Sequence, residues 1–243
     1  MSVVPRGYEE RVKKAVSHYW RTLGSQASKQ RSKAADRGKR AAVTGGKQMD
    51  GFCELVNWVV RENGMPDASV YTRSRLQLPG FFRPTKKWDL IVVHGEQLVA
   101  AVEFKSQAGS FGNNLNNRTE EALGNAVDLW TGFREGAFGE GRPRPWVGWV
   151  MLLEDCPQST RPVGVAEPHF KVFPEFRGTS YAKRYELLLR KLVLERHYDG
   201  AALIMSTRAA ARSGRFREPA ADLTMRRVLA GIGGHVQASL AAE

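Results

Sequence analysis

Asp89, Glu103 and Lys105 are the residues of this chain whose types and spacing could do chemistry. They lie in KWDLIVVHGEQLVAAVEFKSQ, residues 87–107, where two apolar runs share a hairpin-sized connection. Two carboxylates facing each other at the end of a buried sheet repel, and a divalent cation removes that penalty. Mg²⁺ takes oxygen ligands, usually one or two carboxylates with water and phosphate completing the shell. Asp89 and Glu103 supply that set, and the Phe104 carbonyl supplies one more oxygen. Lys105, on the face of Glu103, can orient or deprotonate a water, or stabilise charge on a transferring phosphoryl group. The plainer alternative is an ion network at a sheet edge, since Glu-x-Lys is a pattern that chance supplies freely. Asp50 and Glu54, four residues apart on one helix face, are further candidates for a metal ligand or for placing water. A helix N-cap is the alternative for Asp50.

The elements that carry these residues must bring the two acids together. In a strand over 88–93, Asp89, Ile91 and Val93 share a face; in a strand over 98–105, Val99, Ala101, Glu103 and Lys105 do. A three-residue GEQ loop pairs His94 with Leu98 and sets Asp89 opposite Glu103. A two-residue loop sets Asp89 opposite Val102, on the wrong face, unless a bulge corrects it. The expectation is the three-residue loop, with the acids together.

Helical spacing covers 8–23 and runs from Asp50 to about Asn63, and SVYTRSRLQL, 69–78, alternates as a strand. Residues 119–135 read as a helix with Thr119 as N-cap and two glutamates in its first turn. A strand over 147–153, a helix over 180–197, a strand ALIMS and a last helix starting near Asp222 complete the order. The fold class expected is α/β, a mixed central sheet flanked by helices on both faces. One domain spans 1–243: a basic N-terminal helix and DNA-contacting segment at 1–48, a core with the catalytic sheet at 49–155, and C-terminal helices and sheet additions at 156–243.

The chain has 37 Lys and Arg against 25 Asp and Glu, a net charge of +12. That balance favours nucleic acid as a partner, or less often an anionic membrane. From Lys29 to Lys47 lie seven bases and one Asp without an apolar period. This is either a solvated flexible segment or a limb in which Lys29, Arg31, Lys33, Arg37, Lys39, Arg40 and Lys47 contact DNA phosphates. Residues 106–118 read as a polar loop at the end of the Glu103 strand. Gln107, Asn113, Asn114, Asn116, Asn117 and Arg118 are side-chain types that read adenine and guanine edges, or that simply cap a turn-rich loop. Two cysteines exclude a disulfide framework and a Cys-rich zinc site and read as buried thiols. Five scattered histidines argue against a His-built metal centre. No signal peptide or membrane span is expected, which points to a soluble cytoplasmic protein.

Asp89 followed by Glu103-Phe-Lys105 resembles the PD-(D/E)xK nuclease signature, with Pro84 displaced to five residues before the aspartate. More specifically, the chain resembles the XhoI-type type II restriction endonucleases. The stretches that carry this are AVTGGKQMDGF (42–52), LPGFFRPTKKWDLIVV (78–93), EFKSQAGSFGNNLNNRTEEALGNAVDLW (103–130), LLEDC (152–156) and EPHFKVFPEFRGTSYAKRYE (167–186). The resemblance covers most of the protein. It implies an enzyme acting on double-stranded DNA at the palindrome CTCGAG, cutting after the first cytosine to leave four-base 5′ overhangs. It places Asp89, Glu103 and Lys105 at the catalytic positions and implies a cognate methyltransferase that protects the host genome. A palindrome cut on both strands suits a Mg²⁺-dependent homodimer with one site per subunit. The rivals are another nuclease of the same superfamily, for repair or junction resolution, and a DNA-binding protein without catalysis.

Overall fold

The computed structural model describes residues 2–33 and 47–242, with the side chains of residues 27–33 and 68 outside that set. The elements are α1 (Tyr8–Lys33), α2 (Asp50–Glu62), β1 (Val70–Tyr71), β2 (Gln77–Pro79), β3 (Thr85–Lys87), β4 (Leu90–His94) and β5 (Gln97–Gln107). There follow α3 (Phe111–Arg134), β6 (Trp146–Glu154), α4 (Pro157–Thr160), α5 (Tyr181–Leu194), β7 (Gly200–Ser206), α6 (Ala210–Ser213) and α7 (Met225–Ala241).

Five strands form one sheet in the order β1-β4-β5-β6-β7, and β2 and β3 form a separate antiparallel pair. β4 meets β1 and β5 antiparallel, whereas β5-β6 and β6-β7 are parallel. Each parallel step needs a crossover; α3 supplies the first and α5 lies in the second. The α/β class with a mixed sheet flanked by helices is therefore the one expected. One core, on the α1, α2 and α7 face, contains Val16, Phe52, Val56, Phe104, Val150 and Leu229. The opposite core, under α3 and α5, contains Trp88, Ile91, Ala101, Trp149 and Leu189. Every residue of β6 is buried, as an internal strand covered on both faces requires.

The hairpin between β4 and β5 reaches the expected pairing by the other route. Its loop is two residues, not three: His94 pairs with Gln97, and Gly95 and Glu96 both take positive φ, 49° and 60°. This is the mirror-image turn that fits twisted strands. The register then shifts between Val92 and Val93, leaving Val99 as an extra residue, and from there Leu90 pairs with Val102. The bulge restores the register that the short loop would have lost.

Three other expectations are corrected. α1 runs ten residues past the expected end at 23, through Ser, Gln, Ala, Lys and Arg that favour or tolerate helix without an apolar stripe. The strand expected at 69–78 is broken: only Val70–Tyr71 pairs with β4, and Arg75, with φ 57°, turns the chain into β2. α3 begins at Phe111, so most of the stretch expected as a loop is helix. Thr119 is no N-cap; it lies inside α3 and its hydroxyl donates to the Leu115 carbonyl at 2.9 Å. Cys53 is buried and Cys156 only partly so, and neither is in a disulfide. Among the described residues no helix is long and apolar enough to cross a membrane.

Candidate active site

Asp89 immediately precedes β4, and the β4-β5 register continued by one residue sets it opposite Glu103. Alternation puts Asp89, Glu103 and Lys105 on the face covered by α3 and α5, where Ile91 and Ala101 point. The Phe104 N–H donates to Asp89 Oδ2 at 2.8 Å, which ties the aspartate to β5. In extended backbone a residue's N–H and C=O leave on the same side, so the Phe104 carbonyl leaves β5 on the β4 side, as its N–H does.

Glu103 is buried, and an ammonium bonds each of its oxygens. Lys105 Nζ donates to Oε1, and Lys86 Nζ, from β3, donates to Oε2 at 2.8 Å. Lys86 also donates to the Lys87 carbonyl at 2.8 Å and lies 4.4 Å from the centre of the Trp88 ring. Lys105 lies 5.9 Å from the Trp149 ring centre and 4.0 Å from Glu121 Oε2 on α3. Glu121 in turn pairs with Arg118, whose Nε is buried without a hydrogen-bond partner among the described residues.

Burial, and then the charge of Glu103, push the Asp89 carboxyl up to about 6. Burial lowers the Lys86 ammonium against the upward pull of Glu103. Burial drives the Cys53 thiol up, and the charges of Asp89 and Asp50 push the same way.

The structure brings together Asp89, Glu103, Lys105 and the Phe104 backbone. It does not gather Asp50 or Glu54 with them: among the described residues no three His, Cys, Asp or Glu side chains cluster as metal ligands. α2, which carries both, packs in the core on the opposite face of the sheet. Nor is Asp50 the N-cap of α2; Met49 holds that position without a side-chain bond. Two carboxylates and a carbonyl nevertheless make a hard oxygen set of the kind Mg²⁺ accepts. A raised Asp89 beside Glu103 is what a cation at that point would relieve.

Gln107 is buried, with its amide donating to the Gly109 and Ser110 carbonyls and its oxygen accepting from Tyr185. It builds the turn into α3 and is not presented to a duplex. Asn113, Asn116 and Asn117 are exposed on the first turns of α3, and Asn114 and Arg118 are half-buried. Lys47 is exposed ahead of α2. The side chains of Lys29, Arg31 and Lys33 lie outside the described set, and Arg37, Lys39 and Arg40 lie outside the described residues altogether.

Sequence reasoning passed over Lys86 and Glu121. The only signal for Lys86 was its place in TKKWD, three residues before Asp89. Glu121 becomes a neighbour of Lys105 only once α3 crosses the sheet.

The profile of the family described as "Restriction endonuclease XhoI" matches residues 28–218. The chain is 55% identical over 207 residues to "Type II restriction enzyme BstVI" of Geobacillus stearothermophilus, covering 83% of this chain and 92% of that protein. It is 49% identical over 193 residues to "Type II restriction enzyme XhoI" of Xanthomonas vasicola, covering 77% and 76%. To "Type II restriction enzyme AbrI" of Azospirillum brasilense it is 51% identical over 167 residues, covering 68% and 74%. No solved structure matches the chain.

Proposed function

The chain belongs to the XhoI family of restriction endonucleases, within the PD-(D/E)xK superfamily, and we propose that it cuts duplex DNA at CTCGAG after the first cytosine, leaving four-base 5′ overhangs. The observation that carries the active-site assignment is the juxtaposition of Asp89 with Glu103 and Lys105. The sequence specificity rests on the family resemblance.

Asp89, Glu103 and the Phe104 carbonyl would hold Mg²⁺. Bound there, the cation supplies Lewis-acid stabilisation of charge on the phosphoryl group. The chain's own groups do the rest. Lys105, steadied by Glu103 and near Glu121, orients the attacking water and screens the developing negative charge. Water adds to phosphorus in line as the bond to the 3′ oxygen breaks; the attacking water gives up its proton to solvent, the 3′ oxygen takes one from solvent to leave as a hydroxyl, and the phosphate stays on the 5′ end. Lys86 balances the second oxygen of Glu103 until cation and phosphate arrive.

Exposed Asn113, Asn116 and Asn117, with Arg118, form the reading edge beside the site, and side chains of these types pair with adenine and guanine edges. The basic residues from Lys29 to Lys47 neutralise phosphates. A homodimer cuts both strands of the palindrome, in a cytoplasm whose DNA a cognate methyltransferase protects. Two free cysteines suit that reducing setting.

Digestion of a sequenced plasmid with one CTCGAG site, in Mg²⁺ and in EDTA, with both ends sequenced, tests the reading. A single Mg²⁺-dependent cut with 5′-TCGA overhangs is expected. Discrete cutting elsewhere would discard the inherited site.

A further inference from the structure

Two aromatic side chains stand out of the molecule close to this site. Phe81 and Phe82 are 51% and 68% exposed, edge to face with ring centres 5.0 Å apart, in the turn between β2 and β3. The backbone that carries them is held from behind. Asp128 of α3, itself buried, accepts the N–H groups of Phe81 and Phe82 through one oxygen, at 2.7 and 2.9 Å. Its other oxygen accepts from Arg83 Nε at 2.6 Å, and Arg83 also reaches Asn125. Gly80 makes this approach possible, since a Cβ there would meet Asp128 Oδ2 and the Arg83 carbonyl at 2.7 Å. Below the tip, Leu76, Leu78 and Trp88 root the hairpin in the core.

We infer that the Phe81–Phe82 tip is an aromatic wedge that enters the base stack of the duplex, an inference that rests on the DNA-cleaving reading above. Three observations choose DNA as the occupant. The hairpin is continuous with the site, because Lys86 on β3 bonds Glu103. Phe82 is four residues from Lys86, at most roughly 14 Å of chain, less than one turn of B-DNA at about 34 Å. From Val70 to Trp88 the chain carries five bases and no acid, and Arg73, Arg75 and Lys87 are exposed around the hairpin. A rigid apolar pair in a basic collar is how proteins pry apart and kink a base step. The other exposed phenylalanines, Phe170 and Phe173, have no such tie to the site among the described residues.

The test places 2-aminopurine in turn at adenines within and beside CTCGAG. Fluorescence and affinity are then read in EDTA for wild type, Phe82→Trp and the double variant Phe81→Ala/Phe82→Ala. Wild type is expected to brighten the probe at one step. The double variant is expected to lose that signal and bind about 10-fold weaker or worse, with unchanged thermal stability, and Phe82→Trp should keep both. A double variant that binds and brightens like wild type overturns the wedge while leaving the cleavage reading intact. So does one that sediments as a monomer where wild type is a dimer, which would assign the tip to a second copy of the chain. A wild type that neither binds nor cuts the duplex removes the reading and the wedge together.

Discussion

Glu103 is the residue on which the site turns, because it is a buried carboxylate that two lysines from different strands neutralise. Removing one partner of such a charge leaves it short of a bond in a poor solvent. Lys86→Met should therefore lower the stability of the metal-free protein by about 1–3 kcal/mol, measured by urea unfolding; an unchanged midpoint would mean that Lys86 contributes nothing to holding Glu103. Asp89 sets the pH behaviour. Its carboxyl sits at about 6, above the ordinary 3.8, so the folded protein holds this proton more tightly than the unfolded chain does. The group costs nothing below 3.8, and its destabilisation grows as pH rises to about 6. A cation competes with that proton, so affinity for Mg²⁺ should rise over the same window. Calorimetric titration at about pH 5 and about pH 7.5 checks this, and equal affinities would remove Asp89 from the ligand set.

Elements hold these residues in place, and Asp128 shows how. It fastens the β2-β3 turn to α3, and burial, which alone would raise its carboxyl, is outweighed by the N–H groups of Phe82 and Phe81 and by Arg83. The net shift is downward, so its contribution is present above the ordinary carboxylate range and fades as pH falls through the lowered value. Asp128→Ala should cost about 1–3 kcal/mol and loosen the hairpin. Faster hydrogen exchange at Phe81 and Phe82 would report it; unaltered exchange would show the turn holds without this anchor.

What could be read in advance divides along similar lines. β4 and β5 were legible from their apolar runs and α2 from its helical spacing, and so was the pairing of Asp89 with Glu103. The loop length was not, since Gly-Glu is a poor advertisement for a turn with two positive φ values, and the compensating bulge at Val99 leaves no mark in composition. The start of α3 was illegible for a different reason. GNNLNN has weak helix propensity, and it is helical because Phe111 and the half-buried Leu115 pack against the core below. Lys86 and Glu121 reach the site only through tertiary placement, which no local pattern announces.

At the scale of the molecule, charge and family membership point the same way. A net charge of +12 on 243 residues is far more than the site itself uses. Binding to duplex DNA should weaken steeply with salt, with a slope of log affinity against log salt steeper than about −4. Anisotropy titrations across a salt series measure it, and a flat response would contradict phosphate neutralisation by the basic surface. The fold supports the same division of labour: a sheet buried on both faces fixes the carboxylates, while the exposed start of α3 and the β2-β3 turn carry the polar and aromatic groups that face outward.

The measurement that tests the central claim most directly is single-turnover cleavage of a CTCGAG duplex by Lys105→Ala, with DNA binding measured on the same preparation. The site assigned here predicts that cutting falls by about 10²–10⁴-fold while binding stays within a few-fold of wild type. Near-normal cutting by a folded Lys105→Ala protein would return Asp89, Glu103 and Lys105 to a structural ion network and place the chemistry elsewhere on the molecule.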